Sequence, residues 1–233
     1  MSGAVRGALR RFAAALGHPP GSAGANASSS IGAVGTRAMR SFASKPAEFT
    51  FGDEDQARRY DDALASQVFR PWCEAMVEIN EPVPGNKVLD LACGTGQLGV
   101  HLRRLGFSTI DGLDLSPEML AVAEDLGIYR SLGEIDMTQP YLLKEASVEA
   151  LTCCGIFGPS VIGPEHLAFL APPMVSGARA VISINGKGYE ERPFEDALEA
   201  LFDDGLFREI YRGFNDYLPK EGIDALYVVL ERF

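Results

Sequence analysis

Over residues 88–96, Val88-Leu89-Asp90-Leu91-Ala92-Cys93-Gly94-Thr95-Gly96, an apolar run passes directly into a glycine-rich turn, and Gln97 opens a helical pattern. A strand can meet a helix through so few residues only if the turn accepts positive φ and close backbone approach, which glycine supplies. The stretch therefore commits the chain to a strand-turn-helix unit, and such units assemble into parallel sheets covered on both faces. With Gly99 the string reads G-x-G-x-x-G, so a ligand is expected at the free N–H groups that begin the helix.

The same alternation runs along the rest of the chain. Leu64, Val68, Trp72 and Met76 recur at helical spacing and predict a helix ahead of the first strand, ended by Pro82-Val83-Pro84-Gly85. Strands are expected over 87–92, 108–114, 129–132, 148–154 and 179–184. Helices are expected over 97–105, from Ser116 at N-cap with Pro117 at N1, over 165–170 and over 194–202. The runs 207–212 and 224–230 follow one another as strands, which predicts an antiparallel hairpin closing the sheet. The expected class is α/β, three-layered and Rossmann-like, with a mostly parallel seven-stranded sheet.

Charge and cysteine content narrow the ligands. Residues 1–47 hold no acid, while Arg6, Arg10, Arg11, Arg37, Arg40 and Lys45 fall there; the remainder carries about −17 against −11 overall. An acidic body repels phosphate backbones, so no nucleic-acid partner is expected, and no apolar run is long enough for a membrane span. Cys73, Cys93, Cys153 and Cys154 form no C-x-x-C pair and have no histidine at ligand spacing, so no metal site is expected. They read as small buried hydrophobes, apart from Cys93 inside the turn.

A dinucleotide turn is followed by a ribose-binding acid about 20 residues on, and Asp114, 18 residues past Gly96, leaves that reading open. Asp90 argues against it. A carboxylate expected at the mouth of the turn repels a diphosphate and attracts an α-ammonium group.

The segment 88–96 resembles motif I of the class I S-adenosylmethionine-dependent methyltransferases, which implies that Asp90, Ala92, Cys93, Gly94 and Gly96 hold S-adenosylmethionine; Gly99 is then expected to be incidental to helix packing. Ile110 to Leu120 resembles motif II, in which the acid ending the second strand accepts both ribose hydroxyls. This implies Asp114 in that role, with Leu115 and Met119 beside it. The likeness places Asp136 at the adenine amino group with Met137 against the ring, although a loop Asp capping a turn fits the same residue. It places Cys154 and Gly155 near the methionine ammonium. Tyr60, which precedes the core, is expected to close over the methionine end. Within the class, the stretches Tyr60-Asp61 through Asp114 and Gly163 to Leu167 most resemble the Williams-Beuren-region methyltransferase-like proteins. The chain departs from that group with Glu149-Ala150 for Asp-Ala, Met174 to Gly177 for Lys-Pro-Gly-Gly, and Pro159-Ser160 for Gly-His. The last departure leaves no borrowed catalytic histidine.

Methyl transfer from a sulfonium is an in-line displacement whose alignment is worth about 7 to 11 kcal/mol, so a general base is optional. Candidates for one are His166, Tyr189 and Tyr60, with Glu190 beside the acceptor. Cys153-Cys154-Gly155-Ile156 stands where methyltransferases of DNA bases carry Asn/Asp-Pro-Pro-aromatic, so a small organic methyl acceptor is expected. Two other classes remain open: an S-adenosylmethionine-binding assembly or partner protein without turnover, and an NAD-dependent oxidoreductase.

Val5, Leu9, Phe12 and Leu16 with flanking arginines predict a basic amphipathic helix, followed by a Gly/Ala/Ser stretch over 21–36. This acid-free leader resembles an organelle transit peptide, and Arg40-Ser41-Phe42-Ala43 resembles a mitochondrial processing site. Residues 1–45 are thus expected to engage organelle import machinery for the mitochondrion, with a plastid or a cytoplasmic disordered tail as alternatives. Residues 46–233 are expected to form a single domain.

Overall fold

A computed structural model describes residues 53–64, 86–138, 145–159, 162–218 and 222–233, all within the compact unit Ser44–Phe233. The expected leader, the stripe Val68, Trp72 and Met76, the terminator 82–85, and Ser160 lie outside the described residues. The chain runs α1 (Glu54–Leu64), β1 (Lys87–Leu91), α2 (Gln97–Arg104), β2 (Thr109–Asp114), α3 (Pro117–Asp125) and β3 (Ser131–Glu134). It continues through β4 (Val148–Phe157), a 3₁₀ helix (Pro164–Leu170), β5 (Met174–Asn185), α4 (Gly186–Glu191), α5 (Phe194–Asp203), β6 (Phe207–Leu218) and β7 (Ile223–Arg232).

The seven strands form one sheet in the order β3-β2-β1-β4-β5-β7-β6. The first five pair in parallel; β7 is antiparallel to both β5 and β6, so the expected hairpin closes the sheet. The order reverses between β1 and β4, and α/β sheets bind ligands at the carboxyl ends of the strands beside such a switch. The switch places the crevice at the turn after β1.

β1 is central, hence apolar on both faces from Val88 to Leu91 except at Asp90. Leu89 and Leu91 join the main core with Leu151, Cys153, Ile182, Ile184 and Val228, capped by Phe194, Leu198 and Leu201 of α5. Val88 and Asp90 point to the other face. Asp90, 2 % exposed, is thus a carboxylate buried within a sheet centre.

Several boundaries differ from the sequence expectation for local reasons. β3 begins at Ser131 and not Tyr129, because Tyr129 turns inward and Arg130 is pinned by its N–H to the Ile110 carbonyl (2.7 Å) and its guanidinium to Asp111. β4 runs on to Phe157 through Gly155, whose φ of 82° accompanies a register irregularity. β5 starts at Met174, before another positive-φ glycine, Gly177. The segment 164–170 is 3₁₀ and not α-helical. Asn185 Oδ1 accepts the Lys187 (3.0 Å) and Gly188 (3.4 Å) N–H groups and so starts α4, which the periodicity of so short a segment does not reveal.

Candidate functional site

The turn after β1 is held open by backbone conformation. Ala92, Gly94 and Gly96 have φ of 58°, 55° and 87°. Ala92 is the costly one, since an L side chain there is strained, and such strain concentrates at ligand clamps. The Cys93 N–H bonds the Leu113 carbonyl (3.0 Å), tying the turn to the end of β2. A methyl built on Gly94 meets nothing within 4 Å: the backbone there faces open ground, the condition for a ligand to press against it.

Asp114, the last residue of β2, reaches across to this turn. Its Oδ2 accepts the Gly94 N–H (2.8 Å) and its Oδ1 the Ser116 N–H (3.0 Å), with the Leu115 N–H also directed at the carboxylate, which leaves acceptor capacity for a further donor. Burial pushes its pKa up, opposed by these N–H donors. Ser116 caps α3 by accepting the Met119 N–H (3.2 Å), as its sequence position predicts.

Gly96, Gly99 and Gly112 also meet a packing constraint. A methyl on Gly96 comes within 2.9 Å of Tyr129 Cε2, one on Gly99 within 2.6 Å of Tyr129 Cζ, and one on Gly112 within 2.9 Å of Tyr129 Cδ1. Glycines of the turn, α2 and β2 together cut a slot for one tyrosine ring. Gly99 therefore serves packing and not the ligand, its neighbours being the Tyr129 ring and Ile128.

At the bottom of the slot the Tyr129 hydroxyl donates to Asp90 Oδ2 (2.8 Å), and the Thr152 hydroxyl donates to Asp90 Oδ1 (2.7 Å). Sheet register explains the set: Gly112, Asp90 and Thr152 are lateral neighbours on β2, β1 and β4. Gly112, lacking a side chain, leaves the space beside Asp90 that the ring fills. Asp90 thus lies beneath the turn and not at its open mouth, as the sequence alone suggested. Desolvation pushes its carboxyl pKa up to about 6, with the Thr152 and Tyr129 hydrogen bonds opposing and Asp114 adding to the rise. Tyr129 and Thr152 were not singled out in the sequence; a glycine inside β2 was the available sign of a close approach.

The remaining cofactor candidates divide by exposure. Ala92, Gly94, Asp114, Leu115, Asp136 and Gly155 retain surface, whereas Cys93, Gly96, Met119, Met137 and Cys154 are buried beneath them. Asp136 Oδ1 accepts the Thr138 N–H (2.8 Å) and hydroxyl (2.6 Å), the turn-capping arrangement that its sequence allowed. Met119 packs with Ala57 of α1 and Val122, and Met137 joins the main core. The Cys93 thiol is pushed up by burial, then by Asp90 and Asp114, so it is no nucleophile. The Gly155 N–H donates to Ser183 (2.8 Å).

Of the base candidates, His166 is 3 % exposed and its Nδ1 accepts the Gly163 N–H (3.1 Å), capping its own 3₁₀ helix. Tyr189, on α4, donates its hydroxyl to Glu195, which Arg212 also holds (2.6 Å); burial and that carboxylate raise the phenol. Its ring meets Phe214 edge-on at 5.3 Å. Phe214 is half exposed and aligns through Leu226 with Ile184, the penultimate residue of β5, so the aromatic pair stands at the ligand edge. Tyr60 belongs to α1, but its side chain lies outside the described residues. Among the described residues no cluster of acids, cysteines and histidines has the makings of a metal site, and no helix is long and apolar enough to cross a membrane.

Comparison with known proteins agrees with this geometry. The family profile described as "Methyltransferase domain" matches residues 88–161, from β1 to the loop after β4. The chain is similar to the putative methyltransferase YqeM of Bacillus subtilis, 31% identical over 112 residues covering 48% of this chain and 41% of that protein. It is similar to human methyltransferase-like protein 27, 33% identical over 101 residues and 41% of each chain. The matches thus span about two fifths of the length of these curated relatives. Among solved structures, an S-adenosylmethionine-dependent methyltransferase from Mesorhizobium loti superposes with a TM-score of 0.56 at 18% identity, over 70% of this chain and 96% of that one. The fold is therefore the Rossmann-like methyltransferase fold expected from the sequence.

Proposed function

We propose that the chain is an S-adenosylmethionine-dependent methyltransferase acting on a small organic acceptor. The observation that carries this reading is the open backbone at Gly94 flanked by Asp114 at the turn and Asp90 beneath it. Two carboxylates disfavour a diphosphate there, and they suit a nucleoside that carries ribose hydroxyls and an ammonium group.

The residues present fit that cofactor. Asp114 has lone pairs left for the ribose hydroxyls, Gly94 admits the ligand against the backbone, and the second oxygen of Asp136 is available to an adenine amino group. Bound S-adenosylmethionine supplies a methyl group on a positively charged sulfur. The chain's own contribution is to orient, to exclude water and to hold charge. Neither His166 Nδ1, which caps a helix, nor the Tyr189 hydroxyl, which donates to Glu195, serves as a free base. An acceptor that ionises unaided, a phenol, carboxylic acid or enolisable ring, needs no such base. The Tyr189–Phe214 pair offers such a ring an apolar surface.

The finer placement among the Williams-Beuren-region methyltransferase-like proteins rests on the run from Tyr60-Asp61 through Asp114 and on Gly163 to Leu167. The acidic body supports the exclusion of nucleic acid. The leader's composition supports import into the mitochondrion. Titration calorimetry with S-adenosylmethionine and with NAD tests the cofactor, and S-adenosylhomocysteine formed in the presence of a small-molecule extract tests turnover. Binding of NAD alone refutes the reading; cofactor binding without product in any extract favours a partner protein.

A further inference from the structure

Among the described residues no cation faces the buried Asp90 carboxylate. The titratable groups facing it among the described residues are the Tyr129 phenol, the Cys93 thiol of the turn, the Cys153 thiol on β4 and the Asp114 carboxylate on β2, none of them cationic. Burying a carboxylate in this way favours its neutral acid unless donors hold the charge. Two hydroxyls do so, one per oxygen, from Tyr129 and Thr152. Three glycine positions are kept bare so that the tyrosine can reach it. Arg130 and Ser131, both bonded to Asp111, fix the backbone from which the ring projects.

We propose that Tyr129 is a positioning residue which, through its hydroxyl, keeps Asp90 charged beneath the turn and so makes the site select adenosyl ligands bearing an α-ammonium group over those without one. The proposal rests on the cofactor reading above and adds to it a residue with no part in contacting the ligand. Tyr129 stays in its slot and acts on the ligand only through the carboxylate.

Tyr129→Phe tests this, because the ring still fills the slot and only the hydroxyl is lost. S-adenosylhomocysteine, which has the ammonium, and 5′-methylthioadenosine, which lacks it, are titrated calorimetrically into both proteins at about pH 6.5 and about pH 8. The expected result is about a tenfold loss for S-adenosylhomocysteine at the lower pH, largely recovered at the higher, with 5′-methylthioadenosine changed less than about twofold. Thr152→Val removes the other donor without touching the slot and is expected to act in the same direction; it decides the matter should Tyr129→Phe fail to fold by circular dichroism. Equal losses for both ligands, or no pH dependence, overturn the proposal and leave Tyr129 a packing residue. A wild-type protein that binds neither ligand refutes the cofactor reading itself.

Discussion

The Tyr129 hydroxyl donates to Asp90 over 2.8 Å although 39 residues separate the two in the chain. The contact joins the segment ahead of β3 to the centre of the sheet directly under the ligand turn. It also ties the protonation of one carboxyl to the geometry of the whole strand-turn-helix unit.

That carboxyl gives the protein a pH signature. The folded-state pKa of Asp90 is raised by desolvation from an ordinary 3.8 to about 6. Folding therefore favours the acid form: the group's stability contribution is full below about pH 4 and is lost as pH rises through about 6, on the order of 3 kcal/mol. Asp114, also raised by burial, acts in the same direction. Asp111, which Arg130 and Ser131 pull down against burial, and Glu195, which Tyr189 and Arg212 pull down, act oppositely but only below the ordinary carboxylate range. The melting temperature of the ligand-free protein is expected to rise from pH 7 to pH 5, and to rise less in Asp90→Asn. Parallel profiles for the two proteins rule this out.

The glycines of one motif are expected to behave oppositely. Gly94→Ala places a methyl in open space at φ 55°, so it costs about 1 kcal/mol of stability while blocking the ligand's approach. Gly99→Ala drives a methyl into the Tyr129 ring and is expected to cost about 2 kcal/mol or more. Urea unfolding paired with cofactor titration separates them. Binding lost by Gly94→Ala without a matching loss of stability is the outcome that supports the assignment.

Asp114→Ala is expected to abolish cofactor binding. Two charge-assisted bonds to ribose hydroxyls at about 1.5 kcal/mol each amount to a loss of at least about 100-fold. Because the same carboxylate accepts the Gly94 and Ser116 N–H groups, a stability loss of about 1 to 2 kcal/mol should accompany it. Asp114→Asn keeps the shape but turns an NH2 donor toward one of those N–H groups, so it too loses stability; unchanged affinity in Asn and Ala variants alike removes ribose holding from the site.

Residues 1–42 fused to a fluorescent reporter are expected to carry it to mitochondria. A reporter spread through the cytosol defeats the address, and one in plastids redirects it.

What could be read from the chain followed from local chemistry. Val88 to Gly96 identifies itself as strand, turn and helix because each segment's residues favour that state over any other. Ser116-Pro117 marks a helix start, and the C-terminal hairpin follows from two successive strand patterns. Asp114 at the end of β2 was legible for the same reason. The slot was not. It depends on register, which sets Gly112, Asp90 and Thr152 side by side on three strands, and on Tyr129 folding back from outside β3. No spacing rule connects these positions. Asp90 itself was legible as an acid at a sensitive point, but its depth was hidden until the flanking strands were known. Helix α4 was missed because its start depends on one side-chain cap at Asn185.

The three bare positions around Tyr129 alter what a glycine string reports. In this chain the last letter of G-x-G-x-x-G records the width of an aromatic ring, so Gly99 answers to residue 129, whereas Gly96 is also held by its own φ of 87° in the turn. A descendant in which that ring shrank would have room for an alanine at position 99, lose the fingerprint, and still bind the same nucleoside; a pattern search would then overlook a protein whose chemistry had not moved.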